Sequence, residues 1–450
     1  MLFLARYVLP ISSPHIENGG VLVQDDKIVD VGQASEMKVR YPTEPVTDFG
    51  MAVIMPGFVD AHTHLEYAAL GGIVRDLPYA QYKVQLAEKE RLFTSQDWDD
   101  SALLGGLDAV AAGVTTIADI TRTGASGHAA QAIGLRGIVY REVGTMERDR
   151  VDRAVRGAQA DVEAWSATVD DRITIGYAPF ALYTCHPQVF TKIAELTEDG
   201  TPVACHLAGS REEYDFVKRG SSAFSVHNTE QGVGYGIDMP PWLPTGVSPV
   251  RYLLNWQILK VPNFLAIHCV HLDDEDIDIL AEHDVAVAHC PRANAKQGMG
   301  VAPLHRLLRA GVRVGLGTDS PAACGAIDFF SDLRTGLMLQ RAVGDKRDFI
   351  SAEQMVYMAT LGAARALRLD DQIGSLEKGK KADIVAVDLS LSSQVPTHYP
   401  NDALLHSCNR RNILMTMVDG KVLYDGELRC AVDSARVLAR VGEMRQKLRD

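Results

Sequence analysis

The sequence predicts an α/β protein: a TIM-like (β/α)8 barrel carrying a small composite β-sandwich assembled from both chain ends. Three observations predict it. Eight short apolar runs of β type recur through the centre, separated by stretches with helical periodicity. The two ends read differently, as short strands joined by tight turns. Histidines and one aspartate stand at the ends of several central runs, and a barrel gathers its chemistry at the strand C-termini.

Taken in order, residues 1–55 form the first part of the sandwich. Ile16–Gly20 is a turn, Val21–Gln24 a strand, Asp25–Lys27 a tight turn and Ile28–Gly32 a second strand. Residues 56–372 are the barrel. Its β-runs are Val53–His64, Val114–Ile120, Gly137–Val143, Ile173–Phe180, Pro202–Ala208, Phe264–Val270, Val285–Pro291 and Val312–Ser320. Ser101–Gly113 and Pro303–Ala310 are examples of the helical stretches between them. An open doubly wound sheet is the competing arrangement, but no G-x-G-x-x-G follows the first run. Glu353–Leu367 reads as a helix and Ile373–Gly379 as a turn-rich break. Strands at Ala382–Val387 and Met415–Leu423 then return the chain to the sandwich over 373–430, and 431–450 closes as a helix. Neither end has enough strands to bury a face alone, so the two should share one sheet domain.

Acidic residues outnumber basic ones by 58 to 45, a net charge of −13, which argues against nucleic acid and anionic membranes as partners. No apolar run reaches the length of a membrane span, and the start lacks a basic n-region followed by a full h-region. Seven cysteines without a C-x-x-C pair do not make a disulfide framework, so the expectation is a cytoplasmic protein acting on a small molecule. Homo-oligomerisation is compatible with this size.

The first run ends in His62-Thr63-His64, and strand alternation turns both imidazoles to one side, within reach of a single ion. The fifth run carries His206, the sixth His268, and the eighth ends in Asp319. Neutral imidazoles with a carboxylate suit one divalent metal, zinc first and iron(II) second.

Pro56-Gly57-Phe58-Val59-Asp60-Ala61-His62-Thr63-His64 resembles the first-strand motif of the amidohydrolase superfamily. His289-Cys290-Pro291-Arg292-Ala293-Asn294 with Gly315–Ser320, and the return at Gly374–Leu389, are similar to its chlorohydrolase and aminohydrolase branch. The resemblance implies that His62, His64, His206 and Asp319 surround one metal. It implies that His268 polarises the substrate or the attacking water, and that Asp319 also takes a proton. Binuclear members use a carboxylated lysine on the fourth strand; Ile173–Phe180 has none, so one metal is expected. Glu66 and the run His268–Asp274 look most like the aminofutalosine deaminases; Glu66 is a candidate for binding substrate, and His289, with Asn294, is a candidate for lining the pocket.

The implied activity is hydrolytic deamination of an aminopurine- or nucleoside-like heterocycle with release of ammonia. The first substrate expected is 6-amino-6-deoxyfutalosine, and adenosine-type thioethers come second. An s-triazine hydrolase is the alternative. One position departs from the pattern: deaminases of this branch carry a glutamate three residues after the fifth-strand histidine, where this chain has Gly209. Glycine has no proton to give, so a ligand-binding member with impaired catalysis is a further alternative. Glu212 and Glu213 are the nearest carboxyls along the chain. Cys205, Cys269 and Cys290 each adjoin a strand-end histidine and read as packing thiols. Arg141 and Glu142 read as a polar barrel layer, and His186 and His227 as loop residues.

Overall fold

The computed structural model describes residues 1–74, 76–230, 243–345 and 349–449. The chain begins with β1 (Leu2–Val8), β2 (Ile16–Gln24), β3 (Lys27–Gln33), β4 (Val46–Asp48) and β5 (Ala52–Pro56). Eight barrel strands follow: β6 (Phe58–Thr63), β7 (Val114–Thr121), β8 (Arg136–Val143), β9 (Ile173–Pro179), β10 (Val203–Leu207), β11 (Phe264–His268), β12 (Ala286–His289) and β13 (Val314–Leu316). After the barrel come β14 (Ile384–Asp388), β15 (Ile413–Val418) and β16 (Lys421–Tyr424).

The barrel strands pair in sequence order, each parallel to the next. They read as continuous apolar runs because helices cover the outer face while side chains fill the interior. Closure comes from a parallel bridge between Thr63 and Asp319, with Asp319 N–H donating to the His62 carbonyl at 2.8 Å. The barrel is therefore joined where its metal-binding candidates stand.

The second sheet runs β16-β15-β14-β5-β1-β2-β3, with β4 beside β1. Its centre is where the two chain ends meet: β5 lies parallel to β1 and antiparallel to β14. The run Val53–His64 is therefore two strands in two sheets. Only Gly57 separates them, and a Cβ there would come within 2.1 Å of Thr115 Cγ2. The stretch expected as one helix at Glu353–Leu367 is two, Ala352–Met358 and Leu361–Ala366. They part at Thr360, whose φ of −133° and ψ of −100° lie outside the helical region. The last helix, Ser434–Arg449, packs on Ser95–Ala111, where Arg440 pairs with the buried Asp100.

Arg136 on β8 joins the two sheets. Its side chain is 5% exposed, donates Nε–H to Asp383 Oδ2 at 2.7 Å, and also pairs with Asp419. Among the described residues, no helix is long and apolar enough to cross a membrane.

Candidate active site

The strand C-termini of the barrel bring five predicted side chains together. The ligand atoms of His62, His64 and His206 lie within 4.8 Å of one another, and so do those of His62, His268 and Asp319. His62 belongs to both groups and stands at the centre of the constellation. Its ring centroid is 4.8 Å from that of His64, 5.0 Å from His206 and 6.0 Å from His268. His62 Nε2 is 3.7 Å from Asp319 Oδ1, too far for a hydrogen bond.

Local structure fixes which ring nitrogens face inward. His64 Nδ1 is 2.9 Å from the Ile120 carbonyl, and His206 Nδ1 is 2.9 Å from the Phe180 carbonyl. A carbonyl only accepts, so both Nδ1 atoms carry the hydrogen and both Nε2 atoms present a lone pair to the centre. Among the described residues the two nitrogens of His62 have no hydrogen-bond partner, and neither has Nδ1 of His268, although both rings are buried. Buried polar atoms in native proteins are normally satisfied. Unpaired imidazoles converging on a carboxylate are the donor set a zinc or iron(II) ion would complete.

The site favours that charge state. Burial, and then the neighbouring His62, bring His64 down to about 3. Burial likewise lowers His206 well below the ordinary imidazole value and takes His268 to about 4. These rings are therefore neutral at physiological pH and have lone pairs to offer. Burial alone would push the Asp319 carboxyl up, but the adjacent His62 outweighs it and holds Asp319 below the usual carboxylate range. Asp319 is the anion of the site.

The backbone is strained where these groups are presented. Ala208, His268, Cys269 and Asp319 have φ of 50°, 75°, 50° and 62°. Such conformations cost of order 1–3 kcal/mol each in non-glycine residues and collect at functional sites. Surrounding bonds hold them in place. Val270 N–H donates to the Ala208 carbonyl at 3.0 Å, and Ser320 N–H donates to Asp319 Oδ1 at 2.5 Å. Asp60, quoted above only as part of a motif, accepts from Thr318 N at 2.9 Å and Thr318 Oγ1 at 2.6 Å, which ties β6 to the turn bearing Asp319. Burial lifts its carboxyl to about 7.

The cleft over this constellation is narrow, with an internal volume of about 20 Å³, roughly the room a single water takes. His64, His206, His268 and Asp319 line its floor. One wall comes from the helix Tyr79–Glu90, which turns Tyr79, Tyr82, Lys83 and Leu86 inward at i, i+3, i+4 and i+7. The Lys83 ammonium sits 4.6 Å above the Phe180 ring centroid. Gln297 faces the same cleft. The sequence reading missed all of these, although the helical spacing of the first four was present in it.

The candidates Glu66 and His289 stand elsewhere. Glu66 is buried but does not line the cleft, and its carboxylate accepts from Thr121 Oγ1 at 2.6 Å, Arg122 N at 2.9 Å and Thr123 Oγ1 at 2.7 Å. Those three donors hold the loop after β7, so Glu66 orders the barrel mouth from behind. His289 is buried near His268, and burial brings it to about 4, but it too lies outside the cleft lining. Arg141 turns out to the helical shell, where it pairs with Asp161 at 2.7 Å, so it belongs to no interior layer. His186 caps the helix Pro187–Leu196, and His227 lies within the helix Ala223–Glu230 rather than in a loop. Cys205, Cys269 and Cys290 are fully buried.

At Gly209 a Cβ would lie 2.9 Å from Met299 Cε and 3.1 Å from His268 Cδ2. A side chain here would therefore point at the reacting centre, and the chain has none. Glu213 reaches back instead. Its carboxylate accepts from Ala208 N and Gly209 N, both at 2.9 Å, and burial raises it to about 7. It braces the backbone beside the site and does not line the cleft.

Residues 53–423 match the amidohydrolase family, and residues 19–43 match an imidazolonepropionase-like composite domain of bacteria. The chain is 32% identical over 447 residues to a 5-methylthioadenosine/S-adenosylhomocysteine deaminase of Moorella thermoacetica, covering 98% of this chain and 97% of that protein. It is 29% identical over 429 residues to a 5'-deoxyadenosine deaminase of Methanosarcina acetivorans, covering 94% and 92%. The crystal structure of an adenosine deaminase from Xanthomonas campestris with bound zinc superposes with a TM-score of 0.85 at 27% identity, covering 100% of this chain and 98% of that one.

Proposed function

Because the chain belongs to the amidohydrolase family, we propose that it is a metal-dependent hydrolase that removes an amino group, as ammonia, from an adenosine-like nucleoside. The observation that carries this reading is the convergence of His62, His64, His206, His268 and Asp319, the last four of which floor one narrow cleft. The names borne by its relatives favour 5'-deoxy- and 5'-thioether adenosines. They displace 6-amino-6-deoxyfutalosine from first place to one arm of the test.

In this reading His62, His64, His206 and Asp319 hold one divalent ion, zinc first and iron(II) second. When bound, such an ion lowers the pKa of a water from about 15.7 towards about 7. The rest falls to the chain. His64 and His206 are fixed in one tautomer by the Ile120 and Phe180 carbonyls, which keeps their donor atoms aimed inward. Asp319, held ionised, takes the proton of the attacking water and passes it towards the departing amine. His268, kept neutral by burial, offers an N–H to the oxygen as it gains charge. The tyrosines of the helix Tyr79–Glu90 exclude bulk water and cover the ring.

A second reading rests on Gly209: the chain binds an adenosine-like ligand and turns it over poorly. The test is ammonia release from 5-methylthioadenosine, S-adenosylhomocysteine, 5'-deoxyadenosine, 6-amino-6-deoxyfutalosine and a chlorinated s-triazine, run beside elemental analysis. Ammonia from the adenosine group with a single equivalent of metal is expected. Chloride release from the triazine alone would overturn the deaminase reading. Tight binding without ammonia, metal being present, would select the second.

A further inference from the structure

Gln297 is 4% exposed, faces the cleft, and has no partner for either its Nε2 or its Oε1 among the described residues. A buried primary amide with both ends unpaired is rare, because each lost hydrogen bond leaves a desolvated polar atom. The following turn explains its position. Met299 N–H donates to the Asn294 carbonyl at 2.9 Å, and the Met299 carbonyl is 2.9 Å from His271 Nε2, so the 297–299 segment is pinned against the barrel. That pinning sets the Met299 methyl where a side chain on residue 209 would point. The wall beside His268 is thus glycine and thioether, and Gln297 is the polar group that the same segment sends into the cleft.

We propose that Gln297 reads the heterocycle, a role that rests on the deaminase reading of this cleft. A carboxamide offers one donor and one acceptor side by side. The edge of an aminopurine that undergoes deamination offers the complement: a ring nitrogen that accepts and an adjacent amino group that donates. Nε2–H meets the ring nitrogen and Oε1 meets the amino hydrogen. The product edge has these roles exchanged, with a ring N–H beside a carbonyl, and a half-turn of the carboxamide matches it equally well. Gln297 therefore selects a ring bearing a nitrogen next to the reacting carbon, and it binds substrate and product alike.

The test measures dissociation constants by calorimetry for two ligands that are not turned over, using metal-loaded wild type and Gln297→Leu. One ligand is 5'-deoxyinosine. The other is the 1-deaza analogue of 5'-deoxyadenosine, which has a C–H in place of the ring nitrogen. Wild type is expected to prefer 5'-deoxyinosine by about tenfold or more, the worth of a hydrogen bond in a buried site, and the leucine variant to bind the two within about threefold of each other. Gln297→Glu keeps the shape and checks that the loss follows chemistry. Its carboxylate still accepts the ring N–H of 5'-deoxyinosine, so this variant should keep the preference that the leucine variant loses, with wild-type metal content and melting behaviour. Unchanged discrimination in Gln297→Leu, or no binding of either ligand to wild type, would overturn the role. Failure of the deaminase reading is seen separately, as absence of ammonia from 5'-deoxyadenosine while the binding preference persists.

Discussion

Gly209→Glu puts a carboxyl where the cleft lacks one, and the structure sets both its cost and its benefit. The first new atom would meet the Met299 methyl at 2.9 Å and the His268 ring edge at 3.1 Å. Met299 is the end of a flexible chain and can give by a few tenths of an ångström; His268 is packed and cannot. Overpacking of this size costs about 1–3 kcal/mol of stability, and Gly209→Ala measures that cost alone. Against it stands a proton donor directed at the reacting ring, worth about 10²–10⁴ in rate. The assay is steady-state ammonia release from 5'-deoxyadenosine by metal-loaded wild type, the alanine variant and the glutamate variant. The glutamate variant should exceed the alanine one in kcat by at least about 10² with a similar KM. Equal kcat values in all three, with substrate still bound, would mean that another group already delivers the proton and that the gap at Gly209 is inconsequential.

His62→Ala should lose metal and activity together, because His62 belongs to both ligand groups; full activity from metal-free protein would refute its place. Asp319→Asn should leave nucleoside binding largely intact while kcat collapses, and an unaffected rate would remove Asp319 from proton transfer. Arg136→Ala leaves the buried Asp383 carboxylate unpaired between the two sheets, so the denaturant midpoint should fall by an amount equivalent to about 3–5 kcal/mol. Glu213, raised by burial from 4.5 to about 7, keeps its proton in the folded protein where the unfolded chain releases it. Stability attributable to this group is therefore greatest below pH 4.5 and declines as the pH rises to about 7, by up to about 3 kcal/mol. Glu213→Gln should flatten that part of the stability profile, and a variant with the wild-type slope would show that the slope arises elsewhere.

The eight barrel strands were readable in the sequence because a strand buried on both faces is apolar throughout and short. Their ends were less so. Val53–Val59 is apolar apart from its glycine, and the Pro56-Gly57 step is the one mark in that pattern of where the chain leaves one sheet for the other. His62, His64, His206, His268 and Asp319 stood out because strand termini converge, a rule of topology that needs no coordinates. Glu66 shows where such reasoning stops. Its donors lie about fifty-five positions along the chain, and only the folded mouth shows that its oxygens are already taken. Tyr79, Tyr82, Lys83 and Leu86 carried a readable helical spacing, yet which face of a helix meets a cleft is decided by packing. Gln297 gave no signal, since a lone glutamine beside a lysine is ordinary until its partners are found missing.

The place of β5 between β1 and β14 has a consequence for biosynthesis. As the chain leaves the ribosome, the edge of β5 that will receive β14 stays open until residue 388 has emerged, more than three hundred positions later. Throughout that interval the amino-terminal strands present an unpaired, largely apolar border, the kind of surface that recruits other chains. A nonsense mutation after the barrel but before Ile384 would leave every candidate metal ligand encoded and still yield a polypeptide prone to self-association.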